Sequence, residues 1–331
     1  MAPFRTPALA MAACATLVLT ACGGPTDDEA DAAAASVENC DRDVTIDAPI
    51  ERAVAINQPA TEMLLSLDLQ DRMVAYGVSD EGFMAHLQDA ADEVDALDDE
   101  FASLESVLDL EPDLIYATFA YTFTPEGIAN REAFEDVGVA TYQSPSECGG
   151  QDAEQTDELT LDDMYDEIGD IATLFGVQER GEVLVEELSS RAEEVSQDLG
   201  VQDVELAWWY ASTKAPFMAG CCGAPGLMTR AVGATNAFEA ERQLWPEIGW
   251  ESIVDADPDV LVLADLDRGD DGDSAQAKID FLESDPAARE MTAVKEKRFI
   301  VLDGTTMDPS VRNVDGIEQL AEGLRDLGFV S

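Results

Sequence analysis

Two stretches of the chain, 146 residues apart, carry almost the same sequence. Residues 105–116 read ESVLDLEPDLIY, and residues 251–262 read ESIVDADPDVLV. Each copy predicts a short helix that starts near its glutamate and stops at its proline, followed by a buried apolar strand. The copies lie too far apart for a solenoid, so the repeat predicts two similar lobes.

Strands and helices alternate around both copies, which predicts mainly parallel sheets. The expected strands are residues 52–56, 73–78, 113–118 and 139–142 in the first lobe, and 204–210, 260–264 and 299–302 in the second. The expected helices are residues 60–67, 225–232, 275–283 and 315–327. Apolar residues at helical spacing in 159–199 predict a long helical connector, with a break or kink at Gly176. The predicted fold class is therefore α/β, with two lobes of mostly parallel sheets, a single long bridging helix and a ligand cleft between the lobes.

The N-terminus predicts export. Residues 7–19 form a mostly apolar run that has the length of a signal-peptide core and is too short to span a membrane. The run ends in LTAC at residues 19–22, which resembles the bacterial lipobox, so Cys22 is expected to carry a lipid. An ordinary signal peptide cleaved nearby is the alternative. The predicted organisation is a lipoprotein signal peptide (1–21), a flexible acidic tether (22–40), an N-terminal α/β lobe (41–157), a bridging helix (158–200) and a C-terminal α/β lobe (201–331).

Charge and motif content exclude several functions. The chain has 71 acidic and 18 basic residues, a net charge of −53, which argues against nucleic-acid binding. A single histidine, His86, rules out a multi-histidine metal site. No nucleophile elbow, phosphate-binding loop or HExxH motif occurs, so we expect a protein that is not an enzyme. A secreted carboxylate-dependent hydrolase and a surface redox protein remain alternatives.

Four cysteines remain after Cys14, which lies in the signal peptide, and Cys22: Cys40, Cys148, Cys221 and Cys222. An exported chain can hold disulfides. The glycines around the adjacent pair favour a Cys221–Cys222 bond, with Cys40 bonded to Cys148. Pairing of Cys40 and Cys148 with the two neighbours separately, or free thiols, are the alternatives.

Residues 52–65 (RAVAINQPATEMLL) and 69–77 (LQDRMVAYG) resemble the opening of class III ABC-importer solute-binding proteins, which bind ferric siderophores, haem or vitamin B12. The resemblance covers residues 42–328 and includes both repeats. It implies a monomer outside the cell membrane that delivers a cleft-bound ligand to a permease with a cytoplasmic ATPase. It also implies that Glu105 and Glu251 are exposed and pair with arginines of the permease.

The ligand cleft is expected where loops leave the carboxyl ends of the parallel strands. The candidate ligand contacts are Asp80, Phe83, Phe119, Tyr121, Phe217, Trp245, Met307 and Arg312. The resemblance matches Phe217 and Trp245 to ligand walls of vitamin B12 binders. Arg312 can read an acceptor group of the ligand, or it can form a salt bridge instead.

The favoured ligand is a ferric siderophore. It arrives fully chelated, so the protein needs no cofactor and no metal ligands of its own. The acidic field favours neutral or cationic hydroxamate complexes over anionic catecholates. Cobalamin and haem are the alternatives within the same fold.

Overall fold

The computed structural model describes residues 34–77, 82–97, 102–151, 153–199 and 203–330. The predicted signal peptide, Cys22 and Asp80 lie outside the described residues. Within the described ranges, no helix is both long and apolar enough to cross a membrane.

The first lobe opens with an antiparallel hairpin of β1 (Ala35–Glu38) and β2 (Asp43–Ile46). Strand β1 lies inside the range 22–40 that was expected to be a tether, so regular structure starts earlier than predicted. A parallel sheet follows in the order β4-β3-β5-β6. Its strands are β3 (Ala53–Ile56), β4 (Met73–Gly77), β5 (Leu114–Ala117) and β6 (Ala140–Gln143). Its helices are α1 (Gln58–Ser66), α2 (Gln88–Ala91), α3 (Leu104–Leu108) and α4 (Arg131–Glu135).

The connector consists of two helices, α5 (Leu161–Leu174) and α6 (Gln178–Asp198), in place of the single helix expected. Helix α5 begins with a capping box in which Thr160 and Asp163 satisfy each other's backbone N–H groups. The break falls at Gly176, whose φ of +66° is a left-handed conformation that favours glycine. The chain then turns back, and Gly181 lets α6 approach α5 closely, since a Cβ there would lie 2.7 Å from that of Ala172.

The second lobe contains a mixed sheet in the order β11-β10-β7-β8, with β9 also paired to β7. Its strands are β7 (Glu205–Ala211), β8 (Phe217–Met218), β9 (Thr235–Asn236), β10 (Val260–Asp265) and β11 (Phe299–Asp303). Its helices are α7 (Ala224–Ala231), α8 (Trp250–Ala256), α9 (Ala275–Ser284), α10 (Thr292–Lys295) and α11 (Arg312–Asp326). The predicted α/β class with largely parallel sheets is confirmed.

The two repeat copies have the same local structure. In each, a short helix is followed by a left-handed residue directly before the proline, Glu111 in the first copy and Asp257 in the second. The aspartate after each proline then joins the neighbouring strand. The Asp113 carboxylate accepts the backbone N–H of Arg52 at 3.1 Å, and the Asp259 carboxylate accepts that of Glu205 at 3.0 Å. The repeated residues therefore fix strand pairing in both lobes.

Helix α11 belongs to both lobes. Val311, just before the helix, and Val314 in its first turn pack into the core of the first lobe. Ile317, Leu320 and Leu324 pack into the core of the second lobe. The apolar face of this one helix therefore joins the two cores.

Candidate functional site

The carboxyl ends of both parallel sheets carry the segments expected to form the cleft. In the first lobe these segments follow β3, β5 and β6, and in the second they follow β7, β10 and β11. Parallel strands place their carboxyl ends at one edge of a sheet, where ligands of open α/β sheets bind. The side chains at these edges are therefore the candidate site.

An aromatic ledge lies at this edge of the second lobe; we use the name for Tyr210, Phe217 and Trp245 with the guanidinium of Arg268. The rings of Tyr210 and Trp245 lie 4.8 Å apart with 37° between their planes. The guanidinium carbon of Arg268 lies 5.3 Å from the Tyr210 ring centre, and Arg268 also pairs with Asp273 at 3.0 Å. Phe217 is 36% exposed although it is aromatic. The ledge can stack against a bulky, partly apolar ligand.

The backbone holds the ledge in place. Ala211 of β7 pairs with Phe217 of β8. On the other side, the N–H of Met218 donates to the carbonyl of Pro246 at 3.1 Å, and the N–H of Gly220 donates to that of Leu244 at 3.0 Å. These two hydrogen bonds hold the residues on either side of Trp245, Leu244 and Pro246, against the segment 218–220. A side chain at Gly220 would collide with the Gln243 carbonyl, so this close approach requires glycine.

The structure forms both of the favoured disulfides, Cys40–Cys148 and Cys221–Cys222. The first ties the start of the folded chain to the turn that follows β6. The second is buried and packs with Leu244 and Trp245, directly behind the aromatic ledge. It therefore shapes the backbone that carries Trp245.

Arg312 is buried and paired with Glu62 of α1. Its Nε donates to Glu62 Oε2 at 2.6 Å, and its Nη2 donates to Glu62 Oε1 and to the carbonyl of Gly82. Oε1 of the same carboxylate also accepts the backbone N–H of Met84 at 3.1 Å. The structure shows the salt bridge that is one of the two sequence-based interpretations of Arg312, and a contact of Arg312 with the ligand stays a prediction. The positive charge of Arg312 is therefore neutralised by Glu62.

The other candidate contacts fall in different environments. Tyr121 is 49% exposed, and its hydroxyl donates to the carbonyl of Glu126. Phe119 is half-buried beside it. Phe83 packs edge-on against Tyr76 at 5.2 Å. Met307 is 1% exposed and lies in the core of the second lobe, so its side chain does not reach the cleft surface.

Glu105 and Glu251 occupy equivalent positions in the two lobes. Each lies in the first turn of a short helix, α3 or α8, and each is exposed. Among the described residues, neither forms an ion pair. The repeat therefore displays one accessible carboxylate on each lobe.

Two buried glutamates near β6 were not anticipated. Glu167 of α5 accepts hydrogen bonds from the hydroxyls of Tyr116 (2.8 Å) and Ser144 (2.9 Å), and burial raises its pKa to about 7. Glu147 is buried with Oε2 unpartnered, and burial together with the charge of Asp308 raises its pKa to about 8. Glu167 could have been noticed, because it falls on the apolar stripe of α5 beside Met164 and Ile168. Sequence gave no comparable signal for Glu147.

A groove of about 670 Å³ opens elsewhere, between α1, α6 and α11. Its walls are mainly polar and include Asp68, His86, Glu187, Asp315 and Glu318. Because α1 starts at the carboxyl end of β3 and runs back, Asp68 lies toward the opposite edge of the sheet. Within the described ranges, no group of three metal-ligating side chains is assembled here or elsewhere. The aromatic ledge therefore remains the better candidate for the ligand site.

Comparison with known proteins gives consistent results. A family model described as periplasmic binding protein matches residues 54–306. A periplasmic binding protein from Veillonella parvula is 23% identical, covers 88% of this chain and 98% of its own, and has a TM-score of 0.79. A structure from Saccharomonospora viridis, described as an ABC-type Fe3+-hydroxamate transport system, is 26% identical with the same coverages and a TM-score of 0.74. The vitamin B12 binding protein of Vibrio cholerae is 21% identical, covers 84% and 98%, and has a TM-score of 0.61. Among curated proteins, no sequence is similar enough to count as a match.

Proposed function

Because the chain belongs to the periplasmic binding protein family, whose members bind solutes and are not enzymes, we propose that it captures a ferric siderophore for an ABC importer. The observation that carries the proposal is the aromatic ledge at the carboxyl edge of the second sheet. Stacked rings bury a large area at little cost in side-chain entropy, which suits a bulky amphipathic chelate. The likeness to the Saccharomonospora viridis structure favours a hydroxamate chelate.

The charges of Arg312 and Arg268 support the same choice. Arg312 is neutralised by Glu62, and Arg268 is paired with Asp273. A carboxylate-rich or catecholate complex would bring negative charge into a strongly acidic protein without an unpaired arginine to receive it at these positions. A neutral or cationic hydroxamate complex avoids this repulsion.

Delivery requires a contact with the importer, and we assign it to Glu105 and Glu251. One exposed carboxylate on each lobe lets a permease contact both lobes at once. The equivalent placement of the two residues by the repeat supports this assignment. The permease and its ATPase are the proposed partners, and the binding protein acts as a monomer.

The family works outside the cytoplasmic membrane, and we propose that a lipid on Cys22 holds this member there. The support is the apolar run that ends in LTAC at residues 19–22. Changing Cys22 to Ala should move the protein from the membrane fraction to the soluble fraction of the cell envelope or the medium. An unchanged distribution would contradict the anchor.

The test of ligand class is a titration of the purified protein with a ferric trihydroxamate, a ferric catecholate, haem and cyanocobalamin, in low and high salt. Trp245 lies in the ledge, so binding should quench tryptophan fluorescence. We expect tight binding of the trihydroxamate and weaker binding of the others. The likeness to the Vibrio cholerae protein makes cobalamin the second candidate. Tighter binding of cyanocobalamin than of the trihydroxamate would show that the ligand is a cobalamin and not a ferric chelate.

A further inference from the structure

Glu147 has a buried carboxyl group that the fold does not use. It ends the turn Pro145–Glu147 after β6 and is 2% exposed. Its backbone is satisfied, since its N–H donates to the carbonyl of Ser144 and its own carbonyl accepts from Gln143 Nε2. Its side-chain oxygen Oε2, by contrast, has no hydrogen-bond partner among the residues that the structure describes.

Such an oxygen is unfavourable in a position that serves only packing. A buried polar atom without a partner costs about 1–3 kcal/mol, and an apolar side chain would avoid this cost. The neighbouring Glu167 shows the usual solution, because hydroxyl groups donate to both of its oxygens. The open oxygen of Glu147 is therefore available for a group that the protein itself does not supply.

Glu147 lies where the two lobes meet. Shortly after it, the chain contacts the second lobe, where the N–H of Gln155 donates to the carbonyl of Arg242 at 2.7 Å. Burial raises the pKa of Glu147. Among the described residues, the charge of Asp308 in the second lobe raises this pKa in addition. Asp308 is buried and follows the turn Gly304–Met307 at the carboxyl end of β11. Glu147 and Asp308 thus come from the carboxyl edges of the two sheets, one in each lobe.

A buried carboxyl group needs a compensating positive charge or a proton. Within the described ranges, no cationic side chain contacts Glu147. Arg312, four residues after Asp308, has its charge engaged by Glu62. Glu147 therefore keeps its proton unless a ligand brings a positive charge to it.

We propose that Glu147, with Asp308 across the lobes, binds a cationic group of the ligand, an ammonium or a guanidinium. This inference rests on the proposed function and narrows it to ferric hydroxamates that carry a free cationic arm. In the unbound protein at neutral pH, Glu147 is mainly protonated. When the ammonium binds, the carboxylic acid loses its proton to solvent, and the carboxylate accepts a charge-assisted hydrogen bond from the ammonium.

The experiment compares two ferric trihydroxamates that differ in one group: ferrioxamine B, which has a terminal ammonium, and its N-acetylated form, which is neutral there. We expect the unmodified protein to bind the ammonium form about tenfold more tightly or better, the effect of one added charge-assisted hydrogen bond. In Glu147→Gln the two chelates should bind equally, at the affinity of the acetylated form. Asp308→Asn should reduce the preference, whereas Glu167→Gln, a matched change of a buried acid, should keep it.

Calorimetry in buffers of different ionisation enthalpy measures the number of protons released on binding. This number would not change if Glu147 had only a structural role. At pH 7 the unmodified protein should release close to one proton with the ammonium chelate and none with the acetylated one. Equal affinity for both chelates in the unmodified protein, or an undiminished preference in Glu147→Gln, would overturn the inference while leaving the proposed function intact. Binding of neither chelate would overturn both. If Glu147→Gln does not fold, two other results test the inference. They are the reduced preference of Asp308→Asn for the ammonium chelate and the proton release by the unmodified protein.

Discussion

Glu62 and Arg312 lie 250 residues apart in the chain and form a buried ion pair that joins the two lobes. The carboxylate is fully buried and the guanidinium is 5% exposed. Both groups have further hydrogen bonds to residues 82–84, so the pair also fixes that segment. It thereby links α1, α11 and one edge of the candidate cleft.

The first prediction concerns this pair. Arg312→Met leaves the Glu62 carboxylate buried without a countercharge, so the free energy of unfolding should fall by about 3–5 kcal/mol. Arg42 pairs with Glu132 and Glu135 at the surface, and Arg42→Met should cost no more than about 1 kcal/mol. Urea denaturation of both variants measures the difference. Similar losses in the two variants would show that the buried pair is not special.

The docking glutamates give the second prediction. Reversing Glu105 and Glu251 to Arg should abolish uptake of the ferric chelate by cells and leave its affinity for the purified protein unchanged. Glu179 is also exposed in the first turn of a helix, so Glu179→Arg is a matched control that should keep uptake. Normal uptake by the double variant would refute the docking role.

The third prediction is a pH dependence of stability. Burial raises the folded-state pKa of Glu167 to about 7, so between pH 4.5 and 7 the folded protein holds more protons than the unfolded chain. The contribution of Glu167 to stability should therefore be complete below pH 4.5 and decline as the pH rises through 7. Glu167→Gln should flatten this decline in the melting temperature, whereas the exposed change Glu179→Gln should not. An identical slope in all three proteins would contradict the assignment.

The two disulfides should differ in their effect on stability, which is the fourth prediction. Cys40–Cys148 spans 108 residues, so its replacement by two serines should cost about 2–5 kcal/mol through the freedom gained by the unfolded chain. Cys221–Cys222 joins neighbours and restricts the unfolded chain far less. Its replacement should instead weaken ligand binding through Trp245. Denaturation and chelate titration of both double variants separate the two effects.

The fifth prediction tests the aromatic ledge. Phe217→Ala and Trp245→Ala should each weaken chelate binding by about tenfold or more, because each removes a large stacking surface. Val183 is an exposed apolar residue on α6, far along the chain from the ledge, and Val183→Ala should bind normally. Melting temperatures check that the ledge variants remain folded. Unchanged affinity in both would place the ligand elsewhere.

Much of the fold could be predicted because each predicted strand has a local pattern. The repeat predicts strands at 113–118 and 260–264, close to the observed 114–117 and 260–265, and Gly176 marks the break in the connector. The hairpin of β1 and β2 was missed because β1 is four residues long and lies in an alanine-rich acidic stretch. Its strand character comes from pairing with β2, which a short local pattern does not reveal.

The site was harder to predict than the fold. Phe217 and Trp245 are identified by the resemblance to vitamin B12 binders, but no sequence feature identifies Tyr210 and Arg268, which complete the ledge. The partner of Arg312 could not be chosen from sequence, since 71 acidic residues were available and the pairing depends on two lobes meeting. Burial of Glu147 likewise results from contacts between distant segments and leaves no periodic signal.

The shared helix α11 has a consequence for how the protein melts and how it can be divided. Because Val311 and Val314 complete the core of the first lobe but belong to the C-terminal half of the chain, the N-terminal half lacks part of its own interior. A fragment that ends before residue 312 would expose apolar surface in both halves at once. Calorimetry should accordingly record a single cooperative transition, and a separately produced N-terminal half should gain structure when the C-terminal half is added.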